Sequence, residues 1–367
     1  MANDKMQTEL TFDLDLALRE QTALVAPEEL FLVCDENVSS HCLPVVQQTL
    51  SLPADNILVL PSGEDTKTLS TVEHIWRFLV VHHATRHSML ICLGGGVITD
   101  MGGFAAATYM RGIQCLNIPT TLLGMVDASA GGKTGIDFQG LKNQIGLFSQ
   151  PLAVVILFEF LETLPKRELL SGLAEIIKYG FIVDKSFLEA KLLSYSPSPS
   201  YPPSPSYPLY PQFIEKSIAV KDEITRNDTT EHGRRKILNF GHTIGHAIET
   251  YLIDNHEEIR HGEAVALGMV PALFLSEKYF NLDPNWTLYY KDLYAKNFNR
   301  FNLNDIPVDE LIEIMRHDKK NEGGDIRFVL IEDIGKPVYD VVVKPEDIVE
   351  SINYLVDYQS DENYWGK

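Results

Sequence analysis

Short apolar runs recur through the first half of the chain, each ending in a polar or glycine-rich loop. They are Leu30-Phe31-Leu32-Val33-Cys34, Ile57-Leu58-Val59-Leu60, Ser88-Met89-Leu90-Ile91-Cys92-Leu93, Cys115-Leu116-Asn117-Ile118 and the stretch from Leu152 to Phe158. Continuous apolar runs of this length predict parallel strands buried on both faces. The segments between them, one reaching Val81 and a small-residue one from Val97 to Tyr109, predict the helices that connect such strands. From Pro165 onward the spacing of apolar positions turns helical, and the tail past Pro345 predicts a capping helix. An α/β domain over 1–160 followed by a helical domain over 161–367 is the expected architecture. Residues 194–211, SYSPSPSYPPSPSYPLYP, interrupt the helical half with seven prolines, six serines and four tyrosines. That composition predicts an extended surface insertion with no catalytic part.

Composition narrows the partners. The 51 acidic against 31 basic residues give a net charge of −20, which argues against nucleic acid and anionic membrane as partners. An anionic substrate would need a local basic pocket. No run of about 18 apolar residues predicts a membrane span, and the start Met-Ala-Asn-Asp-Lys has neither the basic nor the apolar region of an export signal. Cys34, Cys42, Cys92 and Cys115 form no CxxC pair, and three of them sit in strand-like runs, so reduced buried thiols in a cytoplasmic protein are expected.

The loops that follow the strands carry the chemistry. Asp35-Glu36-Asn37 ends the first run at the edge where a ligand is expected, and an acid there could bind ribose hydroxyls. Gly94-Gly95-Gly96 turns a strand into a helix whose N-terminus could receive a pyrophosphate. The usual order of parts is altered, because that acid lies well before the glycine turn. Gly131-Gly132-Lys133-Thr134 invites a P-loop reading, but Asp127 stands where that motif requires its first glycine. Arg111, Lys133 and Lys142, flanked by glycines, look like an anion cradle. In the second half, Arg235, Asn239, His242 and His246 recur every three or four residues and would share one face of a continuous helix. With His261 opening a later helix and Glu175 inside an earlier one, two imidazoles and one carboxylate could form a three-ligand divalent site with a position open for substrate.

The motifs are dense enough to name a resemblance. GGGVITDMGGFAAATYMRG at 94–112, PTTLLGMVDASAGGKTGID at 119–137, LKNQIG at 141–146, SGLAEIIKYG at 171–180, LNFGHTIGHAIE at 238–249, HGEAVALGM at 261–269 and HDKK at 317–320 together resemble the 3-dehydroquinate synthase family. The likeness runs from about residue 30 to about residue 345. Departures are Ala128-Ser129-Ala130, where the family often has Ser-Ser-Val, and Ser149, where it often has His or Tyr.

The resemblance implies a Rossmann-like NAD-binding domain followed by an all-α metal-binding domain, with the active site in the cleft between them. It implies Glu175, His242 and His261 as ligands for a divalent metal, zinc or cobalt. It implies an NAD site lined by Asp35, Asn37, Glu64, Lys67, Gly95, Gly96, Val97, Asp100, Thr120, Thr121, Lys133, Lys142, Phe160 and Thr163. Substrate would be held or acted on by Arg111, Asp127, Lys133, Lys142, Asn143, Lys221, Arg235, Asn239, His246 and one or both of Lys319 and Lys320. Glu231 and His246 occupy the acid–base positions. The implied reaction converts 3-deoxy-D-arabino-heptulosonate 7-phosphate to 3-dehydroquinate and phosphate in the shikimate pathway, NAD being regenerated in each turnover, and a homodimer is implied as well. The rivals are a sibling cyclase acting on a sugar phosphate without a carboxylate, a metal-dependent polyol dehydrogenase that would release NADH, and a non-enzymatic protein acting through its proline-rich loop.

Overall fold

The computed structural model describes residues 7–10, 14–129, 131–139, 141–184, 188, 210–317 and 325–365. Ala130, Lys319, Lys320 and the insertion up to residue 209 lie outside the described residues. The chain forms two compact units, Met1–Leu169 with Pro202–Thr230, and Leu170–Tyr201 with Glu231–Lys367. This division differs from the expected boundary at residue 160, because 202–230 belongs with the first unit. The reason lies in helix α7 (Tyr210–Asn227), which packs on the turn Gly124–Ala128 and sends Lys221 to Asp127. Tyr210 and Pro211, read from composition as part of the insertion, form the first turn of that helix, where proline is tolerated because it lacks only an N–H that has no partner in the helix.

The first unit is built on a six-stranded parallel sheet ordered β1-β8-β5-β4-β2-β3. Its strands are β1 (Gln7–Leu10), β2 (Leu30–Asp35), β3 (Ile57–Leu60), β4 (Met89–Gly94), β5 (Gln114–Pro119) and β8 (Ala153–Ile156). The sequence pattern foretold all but β1, whose residues Gln-Thr-Glu-Leu carry no apolar run. Every residue of the central strand β4 is buried. Helices α4 (Leu69–Val81) and α5 (Gly96–Thr108) contribute Val72, Ile75, Leu79, Met101 and Ala105 to a core with Phe31, Val33, Leu90 and Cys92. The stretch that carries Lys133 and Lys142 is an antiparallel hairpin of β6 (Lys133–Phe138) and β7 (Leu141–Phe148). All four cysteines are buried and free.

The second unit is helical with one small hairpin. It contains α6 (Lys166–Ile182, all but its first turn), α8 (His242–Asp254), α9 (His261–Phe280), α10 (Asn285–Asn297), α11 (Val308–Arg316), α12 (Pro345–Ser360) and α13 (Glu362–Trp365), with the strands β9 (Arg327–Asp333) and β10 (Lys336–Val342) paired antiparallel. The capping helix expected past Pro345 is α12. Helix α9 is the spine of this unit: buried residues run along it from Gly262 to Ser276. Among the described residues, no helix is long and apolar enough to cross a membrane.

Candidate functional site

The continuous helix expected from Arg235 to Glu249 is broken. Residues Arg234–Asn239 form a 3₁₀ turn, Gly241 takes φ +78°, and α8 begins at His242. A left-handed residue cannot sit inside an α-helix, and glycine adopts that conformation without the clash a Cβ would cause. The break divides the four residues: Arg235 and Asn239 lie before it, His242 and His246 after it.

Three imidazoles and a carboxylate meet in the second unit. The ligand atoms of His242, His246 and His261 all lie within 4.8 Å of one another. Glu175, on α6 and fully buried, has its Oε1 3.6 Å from His242 Nε2 and 3.7 Å from His261 Nε2. That Oε1 has no hydrogen-bond partner among the described residues. An ionised oxygen buried with nothing to bind would cost several kcal/mol, and a cation placed between it and the two Nε2 atoms removes that cost. Two ligands on a tetrahedral zinc at about 2.0–2.1 Å stand about 3.4 Å apart, close to the spacings found. The other atoms of these side chains are occupied in a way that turns the lone pairs inward. His242 Nδ1 lies 3.0 Å from the Phe240 carbonyl oxygen, His261 Nδ1 lies 3.3 Å from Glu249 Oε2, and Glu175 Oε2 accepts from the buried Lys178 ammonium. The residues therefore fit a divalent metal. His246, half-buried, has its ring 5.0 Å from that of His242 and 5.5 Å from that of His261.

Lys178 and Glu249 are the two members that sequence reasoning passed over. Both were legible as positions: Lys178 is three residues after Glu175, and Glu249 is three and seven residues after His246 and His242, on the same face of α8. Close by in sequence, Asn239 Nδ2 donates to Glu231 Oε1 at 2.7 Å, and Glu231 takes φ +62°. Arg235 is buried, 1% exposed. The planar fork of a guanidinium matches the oxygens of a carboxylate or phosphate.

The first unit gathers most of the nucleotide set at the carboxyl ends of adjacent strands β2, β4 and β5, where open α/β sheets bind ligands. Asp35 closes β2, and its Oδ1 accepts the Val38 N–H at 3.0 Å, capping α2 (Glu36–His41), which carries Asn37. Burial raises the Asp35 carboxyl, and the Val38 and Asn37 amides pull it back. Gly95 and Gly96 are the N-cap and first residue of α5, followed by Val97, and Asp100 lies one turn in. Thr120 and Thr121 follow β5, and Thr121 Oγ1 accepts the Gly124 N–H at 3.0 Å. Phe160 lies in the 3₁₀ turn Phe158–Glu162 and Thr163 follows it, its Oγ1 3.5 Å from the Phe160 carbonyl oxygen.

Lys67 ties this region together. It is buried, and its Nζ donates to Asp100 Oδ2 and to Asn143 Oδ1, each at 2.6 Å, with Glu64 Oε1 at 3.9 Å. Burial alone would lower the ammonium, but Asp100 and Glu64 more than offset it and hold Lys67 above the usual lysine range. Asn143 takes φ +51°, and its N–H donates to Asp137 Oδ1 at 2.7 Å. Of the expected anion cradle, Arg111 and Lys133 are exposed, on the turn Tyr109–Arg111 and at the start of β6, and Lys142 is on β7. Lys221 is paired with Asp127 at 2.8 Å and donates to its carbonyl oxygen at 2.5 Å.

Comparison with known proteins accounts for both halves of the chain. The family model described as 3-dehydroquinate synthase N-terminal matches residues 57–171, and the one described as 3-dehydroquinate synthase C-terminal matches 172–321. A protein of Parabacteroides distasonis named 3-dehydroquinate synthase is 42% identical over 347 residues, covering 93% of this chain and 95% of that one. One of Clostridium tetani with the same name is 38% identical over 346 residues, covering 91% and 87%. Among solved structures, 2-epi-5-epi-valiolone synthase from Streptomyces hygroscopicus, with NAD+ and Zn2+ bound, superposes with a TM-score of 0.82 at 23% identity, covering 97% and 98% of the two chains. A 2-deoxy-scyllo-inosose synthase complexed with carbaglucose-6-phosphate, NAD+ and Co2+ gives 0.80 at 24% identity, covering 95% and 96%. At those identities the structures speak for the fold, an α/β unit followed by a helical one. With family models spanning 57–321 and relatives at 42% and 38% identity over most of the chain, this chain belongs to the 3-dehydroquinate synthase family.

Proposed function

We propose that this chain converts 3-deoxy-D-arabino-heptulosonate 7-phosphate to 3-dehydroquinate and phosphate, using NAD and a divalent metal, zinc or cobalt. The observation that carries the reading is the orphaned Oε1 of Glu175 facing the Nε2 atoms of His242 and His261. Support for the cofactors comes from the metal-competent donor set, from the glycine-led N-terminus of α5, and from the two fold relatives, which hold NAD+ with Zn2+ or Co2+.

Bound NAD would accept and return a hydride, and the metal would polarise the hydroxyl being oxidised. The chain's own residues prepare for this chemistry. Lys178 holds the outer oxygen of Glu175 and compensates the buried carboxylate, leaving the inner oxygen turned toward the two imidazoles. His246, one turn along α8 from His242, takes the proton of the substrate hydroxyl and returns it on reduction, with Glu231, oriented by Asn239, as the next carrier. Arg235 is suited to the substrate carboxylate through a bidentate contact. Arg111, Lys133, Lys142, Asn143, Lys221 and, outside the described residues, Lys319 and Lys320 supply cationic and amide groups for a doubly anionic substrate. Asp35 and Asn37 suit the ribose, and Lys67, Glu64 and Asp100 brace the surrounding loop.

The family's pathway role supports a small-molecule substrate and is consistent with a cytoplasmic setting. Self-association as a homodimer is supported by the β6–β7 hairpin, which leaves Phe138, Leu147 and Phe148 exposed. The deciding experiment is phosphate release from the heptulosonate phosphate by purified protein with NAD and zinc, with absorbance followed at 340 nm. Phosphate release that is abolished by EDTA and restored by zinc, with no net NADH, is the expected result. Net NADH from a polyol, or phosphate release from a sugar phosphate lacking a carboxylate but not from the heptulosonate, would replace this reading with one of its rivals.

A further inference from the structure

Glu249 is a carboxylate inside a helix, 2% exposed. Burying an ionised side chain there costs several kcal/mol unless it has a partner, and the partner it faces is His261: Glu249 Oε2 lies 3.3 Å from His261 Nδ1. The opposite ring nitrogen, Nε2, is the one turned toward Glu175. An imidazole cannot donate and coordinate through the same nitrogen, so an acceptor on Nδ1 fixes the tautomer and leaves the Nε2 lone pair free. His242 is treated the same way by a different device, the Phe240 carbonyl at 3.0 Å from its Nδ1. The carbonyl is part of the backbone and cannot be lost by mutation; the carboxylate can.

Resting on the metal-centre reading above, we infer that Glu249 is a positioning residue for His261, holding it as the Nδ1–H tautomer with Nε2 presented to the metal and raising its strength as a donor. Carboxylates in this position change metal affinity by about 10–100-fold when removed.

The test uses the full chain as wild type, Glu249→Ala, Glu249→Gln and His242→Ala. Zinc affinity is measured by competition with a chromophoric chelator, and the histidine ring nitrogens are read by ¹H–¹⁵N NMR in the zinc-loaded wild type. The expected results are zinc binding about 10–100-fold weaker in Glu249→Ala, substantial recovery in Glu249→Gln, whose amide oxygen still accepts from Nδ1, and a His261 spectrum with the proton on Nδ1. Undiminished zinc affinity in a folded Glu249→Ala, or a His261 coordinated through Nδ1, overturns the inference. The NMR arm needs no variant, so it decides even if Glu249→Ala fails to fold. Failure of the metal-centre reading itself looks different: wild type and His242→Ala would then bind zinc equally weakly.

Discussion

Lys67 is a cation with almost no water, and it survives because Asp100, Asn143 and Glu64 surround it. Removing one partner of a buried ion pair leaves the other charge uncompensated, at a cost of about 3–5 kcal/mol. Lys67→Ala should therefore lower unfolding free energy by about that amount in denaturant titrations and weaken NAD binding; a loss under about 1 kcal/mol would mean the pair contributes little. The thiols make a second residue-scale prediction. Burial pushes Cys34 and Cys42 up to about 12 from an ordinary 9.0. With folded values above unfolded ones, their contribution to stability is fully present below pH 9.0 and is lost as pH rises toward about 12. Denaturation midpoints measured between these limits should fall, and a Cys34→Ala/Cys42→Ala double variant should fall less steeply. At this scale residue types with few structural uses stand out in the sequence: Asp35 after a strand, and His242 and His261 at helix starts, the last two meeting at Glu175 in the structure. Glu249 and Lys178 did not, because a carboxylate or an ammonium on a helix is usually solvated, and only packing shows which are buried.

Helices α8 and α9 cross at glycines, and that crossing brings His242 and His246 to His261. A Cβ on Gly268 would run into the Gly241 carbonyl oxygen and would lie 2.6 Å from Gly245 N, and one on Gly245 would lie 2.7 Å from Ala264 O. These are backbone atoms that cannot turn aside. Gly268→Ala should cost about 1–3 kcal/mol through forced separation of the helices and should also weaken zinc binding. Wild-type zinc affinity in this variant would mean that the crossing does not set the site's geometry. The elements themselves were legible to different degrees. Strands β2, β3, β4, β5 and β8 are apolar runs with no competing period, whereas β1 is polar and short. In β6 and β7 the basic residues drew attention away from the alternation, and β9 and β10 lie inside a half that otherwise reads as helical. The helix expected across Gly241 failed because periodicity registers spacing, and one left-handed residue resets the direction of the chain without disturbing the spacing.

For the molecule as a whole, the change of period near Pro165 falls close to Leu169, where the opening stretch of the first unit ends. It could not reveal that residues 202–230 rejoin the first unit, since a helix looks the same in sequence whichever core it serves. The proline-rich insertion lies outside the described residues up to residue 209, and its composition predicts that it takes no part in chemistry. Deleting residues 196–208 should leave turnover within about twofold of wild type, as expected for a surface connection; a large loss in the steady-state rate would give the insertion a part in assembly or in the site. The return of α7 to the first unit has a consequence for how the protein is made. When the first 169 residues have left the ribosome, the sheet strands are all present, yet Asp127 still lacks Lys221, and the turn Gly124–Ala128 lacks the helix that packs on it. Neither unit is a contiguous stretch of gene. The first must wait, open on one side, until residue 230 has been synthesised, and a fragment cut at the apparent domain boundary would carry that gap permanently.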